Sequence, residues 1–130
     1  MLKNGILNPQ ILSLLARVRH TNTLVIADRG FPFYSELETI DISVVDNMPT
    51  VRQLLDIIVP EYNFGKAFMA EEFLKANNQI VLEDYKKILN GIELKFESHE
   101  QVFKKRVPAA IGLIRTGDTT QFGNIILESA

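Results

Sequence analysis

The residues Thr23-Leu24-Val25-Ile26-Ala27 form a near-continuous apolar run that ends abruptly at Asp28. A run of this length without polar alternation predicts a buried strand rather than a surface one. A helix signature precedes it. Asn8 stands at a capping position and Pro9 at the first helical position. Ile11, Leu14, Leu15 and Val18 then follow helical spacing, which predicts one apolar face up to about Arg19. His20 falls at the expected helix end, where the macrodipole favours a protonated imidazole. A helix laid beside a fully buried strand already constrains the chain to a layered fold.

The rest of the chain repeats the alternation. Ile40, Ile42 and Val44 alternate with polar residues, predicting a half-buried strand. Thr50 caps a helix carrying Val51, Leu54, Leu55 and Ile58, stopped by Pro60. A strand is expected over 66–70, helices over 71–77 and 82–89 with Asn90-Gly91 ending the second, and a strand over 92–96. Ser98-His99-Glu100-Gln101 has capping-box spacing, so a short helix is expected there. The last strands, 109–115 and 122–127, flank a polar turn that reads as a hairpin. Interleaved helices and strands place the chain in the α/β class with a layered sheet. No linker or repeat divides it, so one domain over 1–130 is expected.

Composition narrows function by exclusion. The 46% hydrophobic share can supply a core, and the formal net charge of -2 makes nucleic acid a poor partner. No apolar run approaches the roughly 20 residues of a membrane helix, and no signal-peptide h-region follows Met1. Cysteine is absent, which removes disulfide and thiol chemistry. A soluble cytoplasmic protein without a membrane partner is the expectation.

Few residues remain to carry chemistry. His20 and Asp28 stand at either end of the helix-to-strand connection, and an imidazole with a carboxylate can move a proton near neutral pH. A single histidine is more often structural, but Asp28 follows a strand's carboxyl end, where open α/β sheets place ligands. His99, the other histidine, reads by itself as a solvent-facing residue of a helix first turn. Asn124 opens an apolar strand, and its amide offers both donor and acceptor to a hydroxyl ligand. Thr116-Gly117-Asp118-Thr119-Thr120 lacks the glycines and Gly-Lys-Ser/Thr of a phosphate loop. Glu71 and Glu72 are adjacent on a helix and point apart. No metal-ligand spacing, nucleophile elbow or dinucleotide fingerprint is present. The apolar Ile125-Ile126-Leu127 near the last residue needs cover, which is expected from another subunit.

Taken in order, Gly5-Ile6-Leu7-Asn8, His20-Thr21, Ile26-Ala27-Asp28-Arg29-Gly30-Phe31-Pro32, Ser98-His99-Glu100, Ile114-Arg115-Thr116-Gly117-Asp118 and Asn124-Ile125-Ile126-Leu127 resemble the ribose pyranase and fucose mutarotase family over nearly the whole chain. The resemblance implies a three-layer α/β/α fold with a mixed sheet. It also implies a ring-based homo-oligomer, often a decamer, with sites where subunits meet. Family members interconvert cyclic forms of a free monosaccharide without a cofactor. By the resemblance, His20 is the catalytic histidine and Asp28 its carboxylate partner. His99, Lys104, Phe122 and Asn124 fall at sugar-binding positions.

Several positions depart from the family pattern. Phe122 stands where a tyrosine is usual, and Arg29 replaces a small residue. One extra residue falls between His99 and Arg115, which leaves Lys104 and Lys105 as alternatives for the binding lysine. His99 and Arg115 look like the ribose branch, whereas Phe31-Pro32 and Gly123-Asn124 look like the fucose branch. The implied activity is acid–base ring opening of D-ribose or an L-fucose-like sugar. The departures keep open a non-catalytic sugar-binding or regulatory protein on the same scaffold.

Overall fold

The structure is a computed structural model covering all 130 residues. Asn8 caps helix α1 (Pro9–Arg17) as expected, its side chain accepting the Ile11 N–H at 3.0 Å. Strand β1 (Thr23–Ala27) has the predicted bounds and is buried from Leu24 to Ala27. Strand β2 (Thr39–Asp41) is shorter than the alternation predicted. Val44 is exposed, and the chain turns away through a single bridge between Val45 and Met48. Helix α2 (Val51–Ile58) opens on a complete capping box between Thr50 and Gln53. Strand β3 (Phe64–Ala70) leads into the short helix α3 (Glu72–Ala76). Helix α4 (Gln79–Leu89) starts one turn before its expected position because Asn78 caps it, accepting the Val81 N–H at 3.1 Å. It ends on Asn90 in the left-handed conformation.

Strand β4 (Glu93–Glu97) is followed by a π-turn (His99–Phe103), a single helical turn α5 (Lys104–Arg106) and a 3-10 turn (Val107–Ala109). The expected capping box at Ser98 does not form, and no side-chain cap is present there. The Val102 and Phe103 N–H groups both donate to the Ser98 carbonyl, which makes the wider turn. Strands β5 (Gly112–Arg115) and β6 (Ile125–Ser129) complete the sheet.

The strand order is β2-β5-β1-β6-β3-β4. Strands β2, β5 and β1 are parallel, as are β3 and β4, and β6 runs antiparallel between the two groups. This corrects two expectations. The 116–124 segment is no hairpin, because β1 lies between β5 and β6. The apolar terminal strand is covered within the chain, by β1 on one side and β3 on the other. The terminal strand therefore gives no reason for this protein to assemble, and the sheet's unpaired edges are β2 and β4.

The period of two along each strand divides the core. Leu24, Ile26, Met69, Ile114, Ile125 and Leu127 pack with α1, α2, α3 and α4 on one face. Val25, Ala27, Phe68, Leu113 and Ile126 pack with Phe31, Leu37, Phe103, Val107 and Ala110 on the other. The result is a three-layer α/β/α arrangement on a mixed sheet. Truncating a strand residue buried in either layer, such as Ile26, costs on the order of 2–5 kcal/mol. No helix is long and apolar enough to cross a membrane.

Candidate active site

The carboxyl ends of β1, β5, β3 and β4 lie along one edge of the sheet, and the amino end of β6 meets them there. The 116–124 segment crosses over the end of β1 and is tied down along its length. The Thr116 N–H and hydroxyl both donate to the Ala27 carbonyl, at 2.9 and 2.8 Å. The Arg29 N–H donates to the Asp118 carbonyl at 3.1 Å. The buried Asp118 carboxylate accepts from Val51 N–H at 2.8 Å and Thr120 N–H at 2.7 Å, so it caps α2 while bracing the crossing. At Gly117 a side chain would run into the Val45 carbonyl.

The crossing delivers Asn124 to the end of β1. Its Oδ1 accepts the Asp28 N–H at 2.6 Å. The Asp28 carboxylate accepts the Gly30 N–H at 2.9 Å in a tight turn. Burial pushes the Asp28 carboxyl above the usual carboxylate range, and the nearby Asp118 charge adds to this. Hydrogen bonds from Gly30 and Asn124 oppose the shift. Phe122 sits at φ 54, in the left-handed region that costs a bulky side chain energy. Tyr85, buried in α4, holds the next residue by donating to the Gly123 carbonyl at 2.9 Å. A side chain at Gly123 would meet that hydroxyl at 2.8 Å.

His99 begins the π-turn and is buried rather than facing solvent. Its N–H donates to both oxygens of Glu72 at 3.1 and 3.2 Å. Its ring stacks on Phe103 and meets the edges of Phe122 and Phe31, with centroids at 5.8, 5.1 and 6.4 Å. Lys104 follows the π-turn. Lys104 is the lysine that faces the site; Lys105 is exposed and does not line it.

Asp28, His99, Lys104, Phe122 and Asn124 together line one open cavity of about 360 Å³, with Gly30, Phe31, Pro32 and Gln121. Five of the six residues singled out from the sequence therefore converge. A larger groove of about 610 Å³ lies between α2 and α4. Its charges include the exposed Arg52–Asp84 pair, and no group from the strand ends reaches it, so the smaller cavity is the candidate site. No cluster of three or more His, Asp or Glu side chains converges on a metal position.

His20 is the sixth residue, and it lies elsewhere. Helix α1 stops at Arg17 with Val18 already extended, so His20 is in the following turn and does not cap the helix. The Thr21 N–H donates to the Ser129 carbonyl, at the carboxyl end of β6, whereas Asn124 precedes its amino end. A five-residue strand separates the two positions, which is roughly 16 Å. His20 and Asp28 are thus at opposite edges of the sheet and do not pair within one chain. Sequence spacing counted a connection of eight residues but not the direction in which β1 carries it. Gln121 is not among the residues singled out from the sequence, Glu72 is read there only as one of two acids that point apart, and Asp118 only as part of a polar turn. The cavity lining reveals Gln121, burial reveals Asp118, and the hydrogen bonds to His99 reveal Glu72.

The family model described as the RbsD / FucU transport protein family matches residues 1–130. The chain belongs to this family. It is 40% identical over 129 residues to a D-ribose pyranase of Geobacillus kaustophilus, covering 99% of this chain and 93% of that protein. It is also 40% identical to a D-ribose pyranase of Lactobacillus acidophilus, covering 99% of this chain and 97% of that one. Among solved structures, Bacillus subtilis RbsD complexed with D-ribose superposes with a TM-score of 0.90 at 33% identity, over 100% of this chain and 98% of that chain. The fucose mutarotase of Streptococcus pneumoniae in complex with L-fucose superposes at 0.83 with 21% identity, over 99% and 98% of the two chains, and shares the fold.

Proposed function

We propose that this family member is a cofactor-independent isomerase that interconverts the cyclic forms of a free monosaccharide, D-ribose first. The observation that carries the reading is the convergence of Asp28, His99, Lys104, Phe122 and Asn124 on one cavity. The 33% identity to the ribose-bound structure, against 21% to the fucose-bound one, together with the 40% identity to D-ribose pyranases, favours ribose over fucose.

The chemistry is a proton relay. A base takes the proton of the anomeric hydroxyl, an acid protonates the ring oxygen, and the ring C–O bond breaks to give the open-chain aldehyde. Rotation and reclosure through another hydroxyl exchanges pyranose for furanose. Reclosure through the same hydroxyl exchanges anomers. Acid–base groups in position contribute about 10²–10⁴-fold. Asn124, Lys104 and His99 supply hydrogen-bonding groups for sugar hydroxyls, and the Phe122 and Phe31 rings offer an apolar wall.

His20 enters this scheme from a neighbouring copy. It is exposed, no hydrogen bond of its own chain restrains its ring, and it lies a strand's length from the cavity. A ring-based assembly, up to a decamer, would bring the His20 of one copy to the Asp28 of the next. Without assembly, the same cavity binds sugar and lacks the imidazole, which is the non-catalytic alternative.

Saturation-transfer NMR on free aldoses, combined with light scattering, tests the reading. The expected outcome is accelerated exchange between ribose ring forms by a homo-oligomer. Binding without acceleration would favour the sugar-binding alternative. A monomer at micromolar concentration that still catalyses exchange would sink the inter-subunit site.

A further inference from the structure

Glu100 lies outside the cavity, yet its carboxylate touches two of the side chains that line it. Its Oε1 is 3.3 Å from His99 Nδ1 and accepts a hydrogen bond from Lys104 Nζ at 3.0 Å. The His99 ring is already clamped by Phe103, Phe122 and Phe31, so packing fixes its orientation. Packing cannot decide which nitrogen carries the proton. A neutral imidazole donates from one nitrogen and accepts at the other, and an ionised carboxylate only accepts. Contact with Glu100 therefore assigns the hydrogen to Nδ1 and leaves Nε2 as a bare acceptor. No buried side-chain nitrogen or oxygen lacks a partner. Nε2, which has no protein partner, is thus open to solvent on a residue that lines the cavity. Lys104 lowers the Glu100 carboxyl from its usual range, with His99 adding to the effect, and a carboxylate is ionised near neutral pH.

We propose that Glu100 is a positioning residue of the sugar site. It selects the Nδ1–H form of His99, so that Nε2 accepts a hydrogen bond from a sugar hydroxyl. It also holds the Lys104 ammonium beside the cavity as a complementary donor. The ligand in this inference rests on the sugar-isomerase reading; the tautomer does not.

The test uses the full chain labelled with 15N-histidine, recorded by solid-state NMR without sugar at mildly alkaline pH. There are two histidines, so a His20→Asn variant assigns the spectrum. The wild type should show His99 protonated at Nδ1. Glu100→Ala should move it to Nε2–H, the form water favours, and Glu100→Gln should retain Nδ1–H because its amide oxygen still accepts. In exchange assays Glu100→Ala should raise the KM for ribose roughly tenfold with kcat nearly unchanged, and Gln should recover most of the loss. Wild-type His99 protonated at Nε2, a tautomer unmoved in Glu100→Ala, or a tautomer that moves with KM unchanged would each overturn the proposal. Absence of exchange in the wild type would sink the isomerase reading alone, because the nitrogen spectrum decides the tautomer without sugar.

Discussion

The two edges of the sheet differ in how firmly they hold their polar groups. At the carboxyl edge of β1, Asp28, Asn124, Thr116 and Asp118 are tied to one another or to backbone at 2.6–3.1 Å. At the amino edge, His20 sits in an exposed turn with no side-chain partner. The first edge is organised before any ligand arrives, and its side chains cannot be moved without cost. The second has a titratable group on a surface that something else must meet. The proposed site, divided in this way, would work only when two copies are brought together.

The largest expected effect tests that division directly. His20→Ala should lower ring exchange by about 10²-fold or more while leaving the fold intact, because an exposed side chain contributes little to stability. Mixed and reassembled with Asp28→Asn subunits, it should recover part of the lost activity, since intact histidine and intact aspartate then meet across the interface. No recovery in well-mixed oligomers would place both groups in a single chain's site and erase the contrast between the edges.

Asp28→Asn should lower activity and raise stability together. Burial lifts the folded-state carboxyl above its unfolded value, so folding favours the protonated form. That contribution is fully present below the unfolded value and is lost as pH rises through the folded one. Asparagine does not titrate. Its Tm should therefore exceed the wild-type Tm at neutral pH, and the gap should close as pH falls below the ordinary carboxylate range. Thermal melts across pH check the sign, and a gap that widens in acid would contradict it.

How much of this was legible in the sequence depends on the range of the interactions involved. The bounds of β1, the cap at Asn8 and the Thr50 box are local, and their residues announce them. The crossing of 116–124 over β1 is not local: two apolar strands around a polar turn have the pattern of a hairpin whether or not another strand lies between them. Likewise Ser98-His99-Glu100-Gln101 satisfies a capping box by type, but the Val102 and Phe103 N–H groups both donate to the Ser98 carbonyl and widen the turn, while Glu72, 27 positions away, takes the His99 N–H. Asp28 and Asn124 stand out by position and chemistry, whereas the sugar-binding places of His99, Lys104 and Phe122 came from the family resemblance. Their convergence, and the separation of His20 from them, came only with the topology.

The smallest effect sharpens the contrast within the held edge. Phe122 lies against His99 and carries no hydroxyl. Phe122→Tyr adds at most one neutral hydrogen bond to the sugar, worth about 0.5–1.5 kcal/mol, or roughly three- to tenfold in affinity. Titration should show ribose gaining over fucose-like sugars by about that factor. An unchanged ratio would mean that the ring at 122 supports His99 without facing the ligand.

Strand β6 has a consequence for how the molecule comes together in time. The parallel groups β2-β5-β1 and β3-β4 are joined through β6 alone, which pairs Thr23 with Glu128 and Met69 with Ile125. Neither junction can form until a loop of about half the chain or longer has closed, and contacts at such separation make folding slow. Asn124 reaches Asp28 only when β6 docks, so the cavity and the sheet are completed in the same event. A half-folded chain therefore presents apolar strand surface and no sugar site, and recovery of ring exchange after dilution from denaturant cannot precede the docking of β6.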